Sequence, residues 1–160
     1  MKIVVLGLGN STLTDDSVGL WIVRKVSAHI GAQGDLQGCS VEISENEAGG
    51  WTVLDQFEGA EHAILVDAVG HLDLPPGETA WIPRELFTSA RTSGVHNADI
   101  FTTVEWGRRH GMKLPEGIDV LGVGVQDTAT YGEFCTPAVE GCIEPAARKV
   151  LERLRILCQE

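Results

Sequence analysis

The chain is short of positive charge: 12 Lys and Arg stand against 23 Asp and Glu, a net charge of −11. A surface that acidic repels phosphate backbones, which argues against a nucleic-acid partner unless a local basic patch exists. None is written into the sequence; the densest basic run is Arg108-Arg109-His110. Long apolar runs are missing as well. After Met1-Lys2 only Ile3-Val4-Val5-Leu6 precede Gly7, too short for the core of a secretory signal. No stretch approaches the ~18 apolar residues of a spanning helix, so no membrane partner is expected. The four cysteines, Cys39, Cys135, Cys142 and Cys158, show no C-x-x-C spacing, and no paired histidines stand at zinc-site intervals. They read as buried or half-buried thiols in a reducing compartment. A cytoplasmic protein is the expectation.

What is present fits one domain over residues 1–160, with 43% apolar and 22% charged residues. Lys2–Leu8 is an Ile- and Val-rich run ending in Gly7-Leu8-Gly9-Asn10, the pattern of a buried parallel strand. Val18, Ile22, Val23, Val26 and Ile30 follow at helical spacing, with Asp15 and Asp16 where a cap and a first turn favour acids. Ser40–Ser44 alternates as a second strand leading into Glu45-Asn46-Glu47, and Trp51–Phe57 fits a short helix with Trp51 and Leu54 on its apolar face.

His62–Val69 is a third strand, closed by Asp67. Leu74-Pro75-Pro76-Gly77 is a turn, and Thr79–Ile82 a short strand that Pro83 demotes to a sheet edge. Ser89–Gly94 reads as loop, Asp99–His110 as helix and Ile118–Val125 as a further buried strand. Thr136-Pro137 starts a helix whose apolar stripe runs to Leu157, and Pro145 inside it predicts a kink or split. Strands alternate with helices. The expected fold is α/β, a three-layer sandwich with a mostly parallel, twisted sheet of about five strands and helices on both faces.

In such sheets ligands bind outside the carboxyl ends of the strands, where strand order reverses. Asp16 follows the first strand across its glycine turn, and Asp67 closes the third. If those strands are neighbours, the two acids face one another across a crevice, and His96 lies in a loop able to complete the group. Two carboxylates and an imidazole suit a divalent metal such as Ni, Mn, Fe or Zn. Each member also has a plainer explanation: Asp15 or Asp16 as a helix cap, His96 as a solvent-exposed loop residue. Asp67 is harder to dismiss, because a carboxylate ending an apolar strand is partly desolvated unless partnered. The third glycine of a dinucleotide-binding turn is missing, since Thr12 stands there, and no Walker loop, G-x-S-x-G or H-E-x-x-H occurs.

The ordered set Val5-Leu6-Gly7-Leu8-Gly9-Asn10, Asp15-Asp16, Gly19, Ile64-Leu65-Val66-Asp67-Ala68, Ser93-Gly94-Val95-His96, Leu121-Gly122-Val123 and Thr136-Pro137-Ala138-Val139-Glu140 resembles the [NiFe]-hydrogenase maturation proteases. The resemblance spans nearly the whole chain. It implies an aspartic-type endopeptidase that trims the C-terminal extension from a nickel-loaded large-subunit precursor, cutting after a basic residue. By resemblance, Asp16, Asp67 and His96 are the catalytic and nickel-contacting residues. Nickel is then brought by the substrate, and no organic cofactor is implied.

One departure stands out. Glu45-Asn46-Glu47 replaces the Asp-Gly-Gly of many members, which alters the cleft wall and bears on which hydrogenase is served; Glu45 is placed to supply the acid there. Two other classes remain open at this stage. The opening glycine turn also resembles peptidyl-tRNA hydrolases, although their later His-Asn pair is replaced by Gly19-Leu20-Trp21-Ile22 and the charge disfavours tRNA. The other is a non-catalytic module that binds a metal or the precursor.

Overall fold

The computed structural model describes residues 1–34, 36, 38–70, 72–89 and 100–160. Five strands form one sheet in the order β2-β1-β3-β5-β4. They are β1 Lys2–Leu8, β2 Ser40–Asn46, β3 His62–Ala68, β4 Thr79–Trp81 and β5 Gly117–Val123. All pairings are parallel except β4 against β5, so the proline-flanked strand is an antiparallel edge, where a missing donor costs no ladder bond.

Alternation along the central strands builds two cores. Ile3 and Val5 of β1, with Ile64 and Val66 of β3, face helices α1 Val18–Gln33 and α6 Ile143–Leu157. Val4 and Leu6, with Ala63 and Leu65, face α2 Thr52–Phe57 and α4 Ile100–Arg109. These strands are buried on both faces, which is why they read as continuous apolar runs. The expected three-layer α/β sandwich is the fold observed.

Three local expectations need correction. Trp51 does not share the buried face of Leu54: it precedes α2, is 59% exposed, and packs edge-on against Trp106 at 4.6 Å. A short helix, α3 Arg84–Ser89, follows Pro83 where no element was expected. The cysteines divide unequally. Cys135 and Cys142 are buried free thiols, but Cys39 and Cys158 form a disulfide that ties the end of α6 to the residue before β2. Their Cα atoms are 5.5 Å apart and 119 residues separate them in sequence, so the pairing follows from the docking of α6 and not from spacing.

The expected split near Pro145 is present. The break falls earlier, between α5 Pro137–Glu140 and α6, leaving Pro145 in the first turn of α6, where its missing N–H goes unmissed. Among the described residues no helix is long and apolar enough to cross a membrane.

Candidate active site

Strand order reverses between β1 and β3: from β1 the chain crosses to β2 on one side, then returns to β3 on the other. The carboxyl ends of these two strands therefore form the crevice where a doubly wound sheet binds ligands. Backbone geometry brings an acid to each side of it.

Two glycines make this possible. Gly9 has φ 152°, and a Cβ there would lie 2.1 Å from the Asp16 carbonyl oxygen, so only glycine lets residues 10–17 fold back over the strand end. A Cβ on Gly19 would meet the carbonyl oxygens of Leu8 and Val66, each at 2.4 Å. Its absence lets the start of α1 rest directly on the ends of β1 and β3. The intervening 3-10 turn, Asp15–Ser17, then holds Asp16 half-buried beside β3.

Asp67 is the penultimate residue of β3, only 7% exposed. Its carboxyl is pushed up to about 8, first by burial and second by the charge of Asp16, against one hydrogen bond from the Ala68 backbone N–H. The two acids thus interact across the switch point. Near neutral pH Asp67 is therefore largely protonated, and a nearby cation would favour its ionised form. His96 lies outside the described residues, as do all of residues 90–99. Among the described residues no group of three His, Cys, Asp or Glu side chains is arranged to hold a metal ion.

Asp15 and Asp16 have separate roles that adjacent letters could not distinguish. Asp15 is fully buried and caps no helix end with its side chain. Its carboxylate accepts the backbone N–H of Gln126 and Asp127, both at 2.9 Å, and that of Thr136 at 2.7 Å, as well as the Thr136 hydroxyl. It latches the segment between β5 and α5 to the site.

Asp15→Ala is expected to strand three partly buried N–H groups, at up to about 1–3 kcal/mol each. A fall in melting temperature on the order of 10 °C follows. A calorimetric scan showing less than about 2 °C of change would contradict the latch.

The departure at Glu45-Asn46-Glu47 is a structured wall. Arg24 donates to both Glu45 oxygens, at 2.6 and 2.8 Å, so the Glu45 carboxylate is engaged in a bidentate pair at the surface. Asn46 is buried; its amide donates to Thr52 Oγ1 and Gln56 Oε1, and its oxygen accepts the Gly49 N–H at 2.6 Å. Glu47 accepts the Ser11 N–H at 2.6 Å, a bond that holds its carboxyl below the usual range and ties this turn to the segment leading to Asp16. Asn46, an acceptor and double donor, organises the turn that glycines would leave to backbone freedom.

The free thiols offer no nucleophile. Burial pushes Cys135 upward and Cys142 to about 11, so neither is a thiolate at neutral pH.

Over 163 aligned residues the chain is 31% identical to the Hydrogenase 2 maturation protease of Escherichia coli (strain K12), covering 97% of this chain and 92% of that protein. The chain belongs to the hydrogenase maturation proteases. This maturation protease is also 25% identical over 158 residues to the hydrogenase expression/formation protein HupD of Thiocapsa roseopersicina, covering 96% of this chain and 67% of that one. The solved hydrogenase maturating endopeptidase HybD from E. coli superposes with a TM-score of 0.80 at 29% identity, over 97% of this chain and 93% of that chain. HybD from Thermococcus kodakarensis, at 21% identity, shares the fold with a TM-score of 0.72, covering 97% and 99%. No protein-family model matches the chain. Membership makes this protein an endopeptidase of hydrogenase maturation and displaces both the peptidyl-tRNA hydrolase reading of the opening turn and the non-catalytic module.

Proposed function

We propose that this maturation protease, acting as one domain over residues 1–160, removes the C-terminal extension of a nickel-loaded [NiFe]-hydrogenase large-subunit precursor in the cytoplasm. Its contact with the substrate is through the precursor's own nickel ion. The observation that carries the reading is the buried Asp67 carboxyl beside Asp16 at the strand-order reversal. Two carboxyl groups share that crevice, and both ionise readily only when a cation joins them.

Asp16, Asp67 and His96 are the residues we assign to the ion. Three protein ligands leave an incomplete shell, as an ion delivered and also held by another protein requires. Carboxylate and imidazole give no strong preference for nickel over other divalent ions, so selectivity falls to the precursor's own ligands. In this aspartic-type scheme, contact with the ion lowers the Asp67 proton affinity. Its proton passes to solvent. The carboxylate then takes a proton from the water that attacks the scissile carbonyl and returns it to the amide nitrogen as the C–N bond breaks, freeing the new C-terminus and the tail's amine.

In the cytoplasm Cys39 and Cys158 would meet a reducing poise, and their bond lies at the opposite end of β2 from the crevice, away from this chemistry.

The test is to incubate the enzyme with nickel-loaded precursor and weigh the products. Wild type is expected to yield the shortened subunit and a free C-terminal peptide. Asp16→Asn and His96→Ala are expected to leave the precursor at full mass while melting within a few degrees of wild type. Wild-type rates in either variant would remove that residue from the site.

A further inference from the structure

Among the described residues the two most exposed large apolar side chains are Tyr131, at 83%, and Phe134, at 66%. Both lie in the segment joining β5 to α5. Exposed aromatics on an unattached loop would lose much ordering entropy on binding, but this segment is already fixed. Thr14 donates both its N–H and its hydroxyl to the Thr130 carbonyl, at 3.1 and 2.6 Å. Leu13 and Tyr131 form an antiparallel bridge, and the Gly132 N–H reaches the Thr12 carbonyl at 2.9 Å. The Asp15 carboxylate fastens the segment at Gln126, Asp127 and Thr136. Phe134 stacks on Trp21 with ring centroids 6.3 Å apart, and Arg24 covers Trp21 at 4.9 Å.

The fixed aromatics are continuous with the site. Residues 12–15, to which the segment is bound, run directly into Asp16. The segment bearing Tyr131 and Phe134 is thus anchored to the same stretch of chain that carries Asp16, the acid beside which a substrate tail would enter. Large, rigid aromatics at the centre of a contact are the side chains that concentrate binding energy, because little freedom remains to be lost. Exposed Glu133 and Glu140 flank them, while Arg24 is paired with Glu45 and Lys25 with Glu144, so the rim carries a net negative charge.

We infer that Tyr131 and Phe134 form the docking surface for the folded body of the hydrogenase large-subunit precursor, which presents an apolar patch with a basic margin. This inference rests on the proposed function and adds to it a second contact, separate from the nickel and from the cleaved tail.

The double variant Tyr131→Ser/Phe134→Ser and the single variant Tyr131→Ser test it with purified nickel-loaded precursor. A control, Ile156→Ser, alters a 46% exposed residue near the end of α6. The double variant is expected to raise KM about ten-fold or more, with kcat within about two-fold of wild type, and the single variant to show part of that rise. Tyr131→Phe should restore most of the affinity, and the control should match wild type. An unchanged KM in both serine variants, with wild type active, overturns the docking surface and leaves the proposed function standing. A wild-type dimer that the serine variants dissolve also overturns it, because the occupant would be a second copy of the chain. Wild type failing to cleave the precursor at all removes the proposed function, and this inference with it.

Discussion

Asp67→Asn is expected to abolish precursor processing and, in the metal-free protein, to raise the melting temperature. The carboxyl of Asp67 is pushed to about 8 in the folded chain, by burial and then by Asp16, from 3.8 for an ordinary aspartate. Between those values the folded state holds a proton that the unfolded chain has released. Wild-type stability therefore falls as pH rises through this window, since folding must take up a proton that becomes scarcer. Asparagine resembles the neutral carboxyl in size, can still accept the Ala68 N–H, and never ionises. Its advantage should be near zero around pH 4 and grow towards pH 8, reaching a few kcal/mol, or on the order of 5–10 °C.

Loss of activity follows for the opposite reason. The amide has no acidic proton for the approaching ion to displace and no charge to offer it. A site that destabilises its own fold for the sake of chemistry is a familiar trade between stability and activity. Thermal melts at several pH values, paired with a cleavage assay, check both halves. An Asp67→Asn protein that processes precursor normally, or that melts below wild type near pH 8, would contradict this role.

Much of the scaffold for that site was legible in the residues. Lys2–Leu8 and His62–Val69 are apolar on both faces because helices cover both, and continuous Ile and Val runs announce that burial. Asp67 stood out as a charge closing such a run. What the pattern could not carry was tertiary. Asp15 and Asp16 are neighbours with the same side chain, and only the 3-10 turn decides which is latched by residues 126–136 and which lies beside Asp67. Trp51 looked like part of an apolar stripe because its partner, Trp106, lies 55 residues away on α4. The Cys39–Cys158 bond depends on where α6 ends against the sheet, which no local spacing encodes. Asn46 looked like a lost glycine, although its buried amide organises the turn before α2. For His96, the sequence and the family resemblance remain the grounds, since the residue lies outside those described.

On the proposed function, the substrate's nickel is the switch for cleavage. Under that proposal Asp67, pushed to about 8 beside Asp16, is mostly protonated when no cation is present, and a precursor without nickel would meet the site in that state. Binding through a shared ion would also check that metal insertion is complete before the tail is removed. The most direct measurement is mass spectrometry of nickel-loaded and nickel-free precursor after incubation with the enzyme under identical conditions. The loaded precursor should lose its C-terminal extension, and the nickel-free precursor should remain at full mass even at high enzyme concentration. Efficient cleavage of the nickel-free precursor would contradict the account.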